Sequence, residues 1–162
     1  MGGRSTTDIT DDGVDWNSVP FCTCSNPEGY ILKDGDLVFA RIGATTGKSY
    51  LLKNPINAIY ASYLIRISAK FINSKFLYYF FQTEKYWKQI NSQKGSNLKG
   101  GVNGSILSKL LVPKCNNTEQ AKISNCLDYV DQKIKIVHSK LIAYQNIFKT
   151  LLHELMRGES GG

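Results

Sequence analysis

TEQAKISNCLDYVDQKIKIVHSKLIAYQNIFKTLLHELMR, running from Thr118 to Arg157, decides how the rest of the chain is read. Its apolar positions are Ile123, Leu127, Val130, Ile134, Val137, Leu141, Tyr144, Phe148, Leu151 and Leu155, in unbroken steps of four and three. That alternation is an a/d heptad, the pattern of a coiled-coil seam, and is narrower than the stripe of a helix packed on its own domain. No Pro or Gly interrupts the run before Gly158, where the helix is expected to stop. Thr118 reads as the N-cap, with Glu119 where the helix dipole favours a carboxylate. At 1.5 Å per residue the helix is about 60 Å long, roughly twice the span of a small domain. The sequence holds no second heptad helix to receive this seam. A partner from beyond the domain is therefore expected to cover it.

The preceding sequence reads as a β-rich body. Asp34-Gly35 is a turn, and Leu37–Ile42 is a strand apolar on both faces and therefore central. Residues 49–52 form a second strand and residues 58–67 a third. Asn73 or Ser74 then caps one helix over 74–91, whose buried face is Phe76, Leu77, Phe80, Phe81, Trp87 and Ile90. Residues 92–105 are a loop with Gly95, Gly100, Gly101 and Gly104, too long and too glycine-rich for a plain connector. Residues 106–112 are a last strand, closed by Pro113. The fold class is α+β: a mixed, β-rich domain over 1–114, then a long coiled-coil helix within 115–162.

Composition narrows the function. A chain of 162 residues with 42% apolar residues can bury a core and is not of the disordered class. No apolar run approaches a membrane span, and no signal peptide opens the sequence. Cys22, Cys24, Cys115 and Cys126 lack zinc-ligand spacing, and His138 and His153 lie far away on the helix. Reduced thiols in a cytoplasmic protein are the expectation. The net charge of +7 is unevenly placed. Residues 1–36 carry −5, residues 37–114 carry +11 with Glu84 as their single carboxylate, and residues 115–162 carry +1. A carboxylate-poor stretch of this kind is the electrostatic footprint of a domain that meets a polyanion.

Catalytic readings find no support. The segment Gly43 to Ser49, GATTGKS, has three residues between its glycines where a Walker A loop has four. A strand follows it, whereas a phosphate loop opens a helix. It reads better as a tight turn between strands, in which Arg41, Thr45, Thr46, Lys48 and Ser49 offer donors to phosphates and base edges. Lys94, Ser96, Asn97, Lys99 and Asn103 offer a second such set in the glycine-rich loop, which is expected to order on DNA. Asn97 or Asn103 suits adenine through its amide. The basic half holds too few carboxylates for paired-acid or magnesium chemistry. Asp8, Asp11, Asp12 and Asp15 cluster without EF-hand spacing. No metal and no cofactor is expected.

Taken in order, LKDGDLVFARIGATTGK, AIYASYLIRI, NSKFLYYFFQTEKYWKQI, GSNLKGGVNGSILSKLLVP, TEQAKISNCLDYVDQKI and KTLLHELMRGE resemble the specificity subunits of Type I restriction-modification systems. The resemblance covers nearly the whole chain from Arg4. It implies a target recognition domain that reads one half of a bipartite double-stranded DNA site, and a long helix that sets the spacing. It also implies assembly with methyltransferase and restriction subunits, and no catalysis by the chain itself. Whole subunits of this family carry two recognition domains with antiparallel helices, whereas one of each is present here, as in a half subunit or a fragment. Pro113-Lys114-Cys115 also stands where the family has a double proline. On the helix, Asp128 and Asp131 lie early, and Lys140, Lys149 and Arg157 late. That asymmetry favours an antiparallel homodimer, in which opposite charges meet. The alternative from another class is a coiled-coil assembly protein whose basic domain binds an acidic protein.

Overall fold

The computed structural model describes the backbone of 2–4 and residues 23, 25–53, 58–96 and 101–157, with 94–96 as backbone alone. The chain forms two compact units, Met1–Ala121 and Lys122–Gly162. The strands are β1 (Gly2–Arg4), β2 (Leu37–Ala40), β3 (Ser49–Leu51), β4 (Ala58–Tyr60) and β5 (Leu64–Ile67). The helices are α1 (Ser74–Phe80), α2 (Glu84–Ser96), α3 (Gly104–Leu107) and α4 (Asn117–Met156). The class is α+β.

The centre of the first unit is β2, as its apolar run requires. It pairs antiparallel with β3 on one side (Leu37 opposite Leu51) and with β5 on the other (Ala40 opposite Leu64). All four of its residues are buried. Strand alternation sends them to two cores. Leu37 and Phe39 join Leu51, Leu77, Phe80, Phe81, Tyr86, Ile90 and Val102, while Val38 and Ala40 join Leu32, Leu52, Ala58 and Leu64. Helices α1 and α2 thus cover one face of the sheet. Asp36, buried just before β2, accepts from Lys33 N at 2.9 Å and lies 3.9 Å from Arg66 Nε. The guanidinium also donates from Nη1 to Ile31 O at 2.8 Å, so one cation of the basic stretch is committed to structure.

The structure corrects several expected elements. Residues 58–67 are two strands, because the chain changes sheets within them. β4 pairs in parallel with β1, whereas β5 joins β2 after a turn closed by Leu64 N on Ala61 O at 3.0 Å. The helix expected over 74–91 is two helices. Asn73 caps α1 by accepting from Phe76 N. Thr83 restarts the chain by accepting from Tyr86 N at 3.2 Å, an N-cap bond. α2 then runs on to Ser96, so the glycine-rich segment begins later than Ser92.

No strand forms over 106–112. Asn103 Oδ1 accepts from Ile106 N at 3.0 Å and caps the short α3. Beyond α3, the Leu111 backbone is served by one side chain. Leu111 N donates to Gln89 Oε1 at 2.8 Å, and Gln89 Nε2 donates to Leu111 O at 3.2 Å. A carboxamide thereby satisfies the groups a strand neighbour would have taken.

α4 is a single helix of 40 residues, as the heptads demand. Its cap lies two residues before Thr118. Asn116 Oδ1 accepts from Glu119 N at 2.9 Å, and Glu119 Oε2 accepts from Asn116 N at 3.1 Å, a reciprocal capping box. One residue on, Gln120 is buried, accepting from Asn73 N at 2.8 Å and donating to Cys115 O at 2.9 Å. Every seam residue from Ile123 to Leu155 is exposed, between 40% at Leu127 and 79% at Leu155. Tyr129, Ile136, Ile142, Ile147, Leu152 and Met156 are exposed as well, so the apolar surface is wider than the seam. Two of the charges behind the expected pairing direction are engaged within the chain. Asp128 is buried, and Asp131 pairs with Lys135 of its own helix at 3.1 Å.

Candidate nucleic-acid interface

The β2–β3 turn brings Arg41, Thr45, Thr46 and Lys48 together within one short loop, with Ser49 opening β3. Hydrogen bonds fix its path. Thr46 donates to Gly43 O from both N, at 3.2 Å, and Oγ1, at 2.6 Å, closing the tip. Below the tip, Lys48 N donates to Thr45 O at 2.9 Å, Gly47 N to Ala40 O at 2.9 Å, and Ala40 N to Lys48 O at 2.9 Å. Gly43 and Gly47 take φ of +85° and +100°, which side-chain-bearing residues rarely adopt.

The helical layer holds this turn from behind. The Tyr86 hydroxyl donates to Gly47 O at 2.6 Å in a buried setting. Burial pushes that hydroxyl well above its ordinary pKa of 10.0, because the phenolate would be desolvated. Trp87 stacks edge-on against Tyr86, with ring centroids 5.3 Å apart. Its ring also lies against Gly47 so closely that a Cβ there would sit 2.6 Å from Trp87 Cζ3. The aromatics of 76–87 are therefore core, as the helical spacing indicated. Two of them also brace the turn, a role that no sequence period announces.

Arg41 leaves β2 with its backbone engaged at both ends. Its N donates to Tyr63 O at 3.0 Å, and its O accepts from Val102 N at 2.8 Å. Among the described residues its Nε is buried without a hydrogen-bond partner. The Val102 bond draws residues 101–103 of the glycine-rich segment to the root of the turn. Gly101 passes so close to the Arg41 carbonyl that a methyl group there would collide with it. The two stretches singled out in the sequence thus meet at one point. Asn103 arrives with its Oδ1 already used as the cap of α3. Bidentate recognition of adenine would compete with that cap. Lys94 and Ser96 stand in the last turn of α2, where only the backbone is described, and Asn97 and Lys99 lie outside the described residues.

Among the described residues, no cluster of three His, Cys, Asp or Glu side chains could hold a metal. Cys115 and Cys126 are free thiols. Cys22, Cys24, Asp8, Asp11, Asp12 and Asp15 lie outside the described residues. No described helix is long and apolar enough to cross a membrane.

The family model of the Type I restriction modification DNA specificity domain matches residues 25–144. The chain belongs to this family. The match takes in the braced turn, all of α1 to α3 and the greater part of α4. A search of curated proteins returned no match. The chain thus carries one target recognition domain of a specificity subunit, and its work is DNA sequence recognition within a Type I restriction-modification system. Domains of this family are in general non-catalytic.

Proposed function

We propose that the chain reads one half of a bipartite DNA site, with residues 1–114 as the reading part and 115–162 as the spacing and assembly part. The observation that carries this reading is the β2–β3 turn, a rigid, donor-rich loop in a stretch of charge +11. Arg41 and Lys48 supply phosphate contacts, and Thr45, Thr46 and Ser49 approach base edges. Residues 94–103 form a second contact, in which the backbone and Lys94 and Lys99 do more than Asn103. The chain performs no chemistry itself and needs no metal or cofactor. α4 docks the methyltransferase and restriction subunits, and pairs antiparallel with a second copy, so that two recognition domains read a palindromic bipartite site.

Lys48→Ala tests the turn. Duplex affinity should fall alike for every sequence, and the slope of log K against log salt should shrink by about one, as for a lost phosphate contact. Unchanged affinity with an unchanged slope would refute the assignment. The apolar exposure of α4 favours a second reading, a protein-assembly scaffold whose basic domain binds acidic protein. Absence of salt-dependent duplex binding, together with capture of an acidic partner, would establish that reading instead.

A further inference from the structure

Arg41 joins three segments. Its O takes the Val102 bond already described, and its N donates to Tyr63 O at 3.0 Å. Tyr63 belongs to the turn between β4 and β5, which Leu64 N closes on Ala61 O at 3.0 Å. β2 runs antiparallel to both β3 and β5, so its C-terminal end meets the N-terminal ends of its neighbours. Arg41, Lys48 and Tyr63 therefore share one end of the three-stranded sheet. Residues 41–49 and 61–63, which form that end, hold two cations and no carboxylate. Asp34 and Asp36 precede β2 at the opposite end.

Tyr63 is 47% exposed. A single exposed aromatic is ordinary on a protein surface, and its setting is what distinguishes this one. Tyr63 belongs to neither of the two cores, and among the described residues its ring stacks on no other. Tyr30, exposed to a similar degree, packs instead on Tyr60, with ring centroids 5.7 Å apart. Phe71, the most exposed aromatic of the first unit among the described residues, follows β5 at its other end. Tyr63 thus presents a ring that serves no packing role, on a backbone already fixed to Arg41.

We infer that Tyr63 is a specificity-determining residue, whose ring packs on a base of the half-site beside the phosphate contact of Arg41. The inference rests on the DNA-reading role proposed above and adds to it a residue from a third loop. A duplex held by Arg41 passes the β4–β5 turn, because the two backbones are hydrogen-bonded to each other. A neutral ring gains little from phosphates, which carry no sequence information. Its apolar faces are served by bases, which differ from one another in shape and apolar surface. A tyrosine has only two side-chain torsions to fix, so holding it against a base costs little entropy. Arg41 and Lys48 then hold any duplex, and Tyr63 discriminates among them.

The test uses the full chain and a pool of randomised DNA duplexes, from which bound sequences are recovered and read. Wild type should enrich one half-site. Tyr63→Ala should enrich the same half-site with the preference erased at one or two adjacent base pairs. Its affinity for the duplex that wild type selects should fall about 5- to 150-fold, as for one mismatched base pair, while the slope against salt stays unchanged. Tyr63→Phe keeps the ring and should keep the preference. Phe71→Ala, which removes an exposed aromatic elsewhere on the same unit, should leave the preference intact. Binding of random duplex at the wild-type level shows that each variant is folded. Full preference in Tyr63→Ala, or a loss spread evenly over every position, would overturn the inference and leave the DNA-reading role standing. Equal erasure by Phe71→Ala would do the same. A wild type that enriches no sequence would overturn both.

Discussion

Gly47→Ala is the sharpest test of how the recognition turn is held. Gly47 and Gly43 occupy the same loop with similar φ, +100° and +85°. Their surroundings differ. A Cβ on Gly47 would sit 2.6 and 2.9 Å from two atoms of the Trp87 ring, whereas one on Gly43 would meet nothing within 4 Å. Left-handed backbone costs a side-chain-bearing residue about 1–2 kcal/mol, and both alanine variants bear that cost. Only Gly47→Ala adds overpacking, about 1–3 kcal/mol, because the half-buried Trp87 ring, stacked edge-on against Tyr86, must shift to admit the methyl group. The expected losses are about 1–2 kcal/mol for Gly43→Ala and about 2–5 kcal/mol for Gly47→Ala. Urea unfolding of both variants beside wild type, with the near-ultraviolet aromatic signal as probe, measures the difference directly. The ring contact also places the turn, so Gly47→Ala should lose more duplex affinity than Gly43→Ala. Equal destabilisation by the two substitutions would refute the bracing of the turn by Trp87.

Tyr86→Phe should cost about 1–3 kcal/mol, since it leaves the buried Gly47 carbonyl without its donor. The same hydroxyl makes wild type sensitive to alkali. Its folded pKa is raised, so its contribution is complete below the ordinary value of 10.0 and is lost as pH rises above it. The stability gap between wild type and Tyr86→Phe should therefore narrow above about pH 10, and a gap constant to about pH 11 would contradict the burial of that hydroxyl. Asn116→Ala should remove about 1 kcal/mol by opening the capping box, with loss of helical circular dichroism on heating as the measure. Glu119→Ala in that background should then cost almost nothing more, because the two residues share one interaction.

The period-3.5 signal was legible because it repeats over many turns and because nothing in the sequence competes with it. β2 was legible as a central strand from four consecutive apolar residues, Leu37 to Ala40, although the expected strand ran two residues further, to Ile42. What escaped were the breaks. AIYASYLIRI carries strand propensity throughout, and only the partners on the two sides, β1 and β2, reveal that it changes sheets. The break before α2 did leave a mark, Thr83 followed by Glu84, but the aromatic stripe from Phe76 to Trp87 masked it. The segment after α3 looks like a strand, yet Gln89 supplies its hydrogen bonds, a non-local contact that no window of sequence contains. The donors of the β2–β3 turn were read from composition and charge. Their bracing by Tyr86 and Trp87 was not, because those rings serve the core and the turn together. The direction of helix pairing was argued from Asp128 and Asp131, of which Asp128 is buried and Asp131 is engaged by Lys135 on its own helix.

The bond from Val102 N to Arg41 O has a consequence for anyone re-engineering target choice. Two loops some sixty residues apart in the chain are soldered at one backbone joint, and the joint admits only glycine at position 101. Neither loop is a free cassette. A graft that imports a new 41–48 turn alone would set it on a seat shaped for the old one, and the mismatch would show as poor expression before it showed as altered sequence preference. Transplants that carry 41–48 and 101–103 as one block keep the seat and its occupant matched. Libraries built on this scaffold should accordingly hold Gly101 fixed and vary the two loops as a pair.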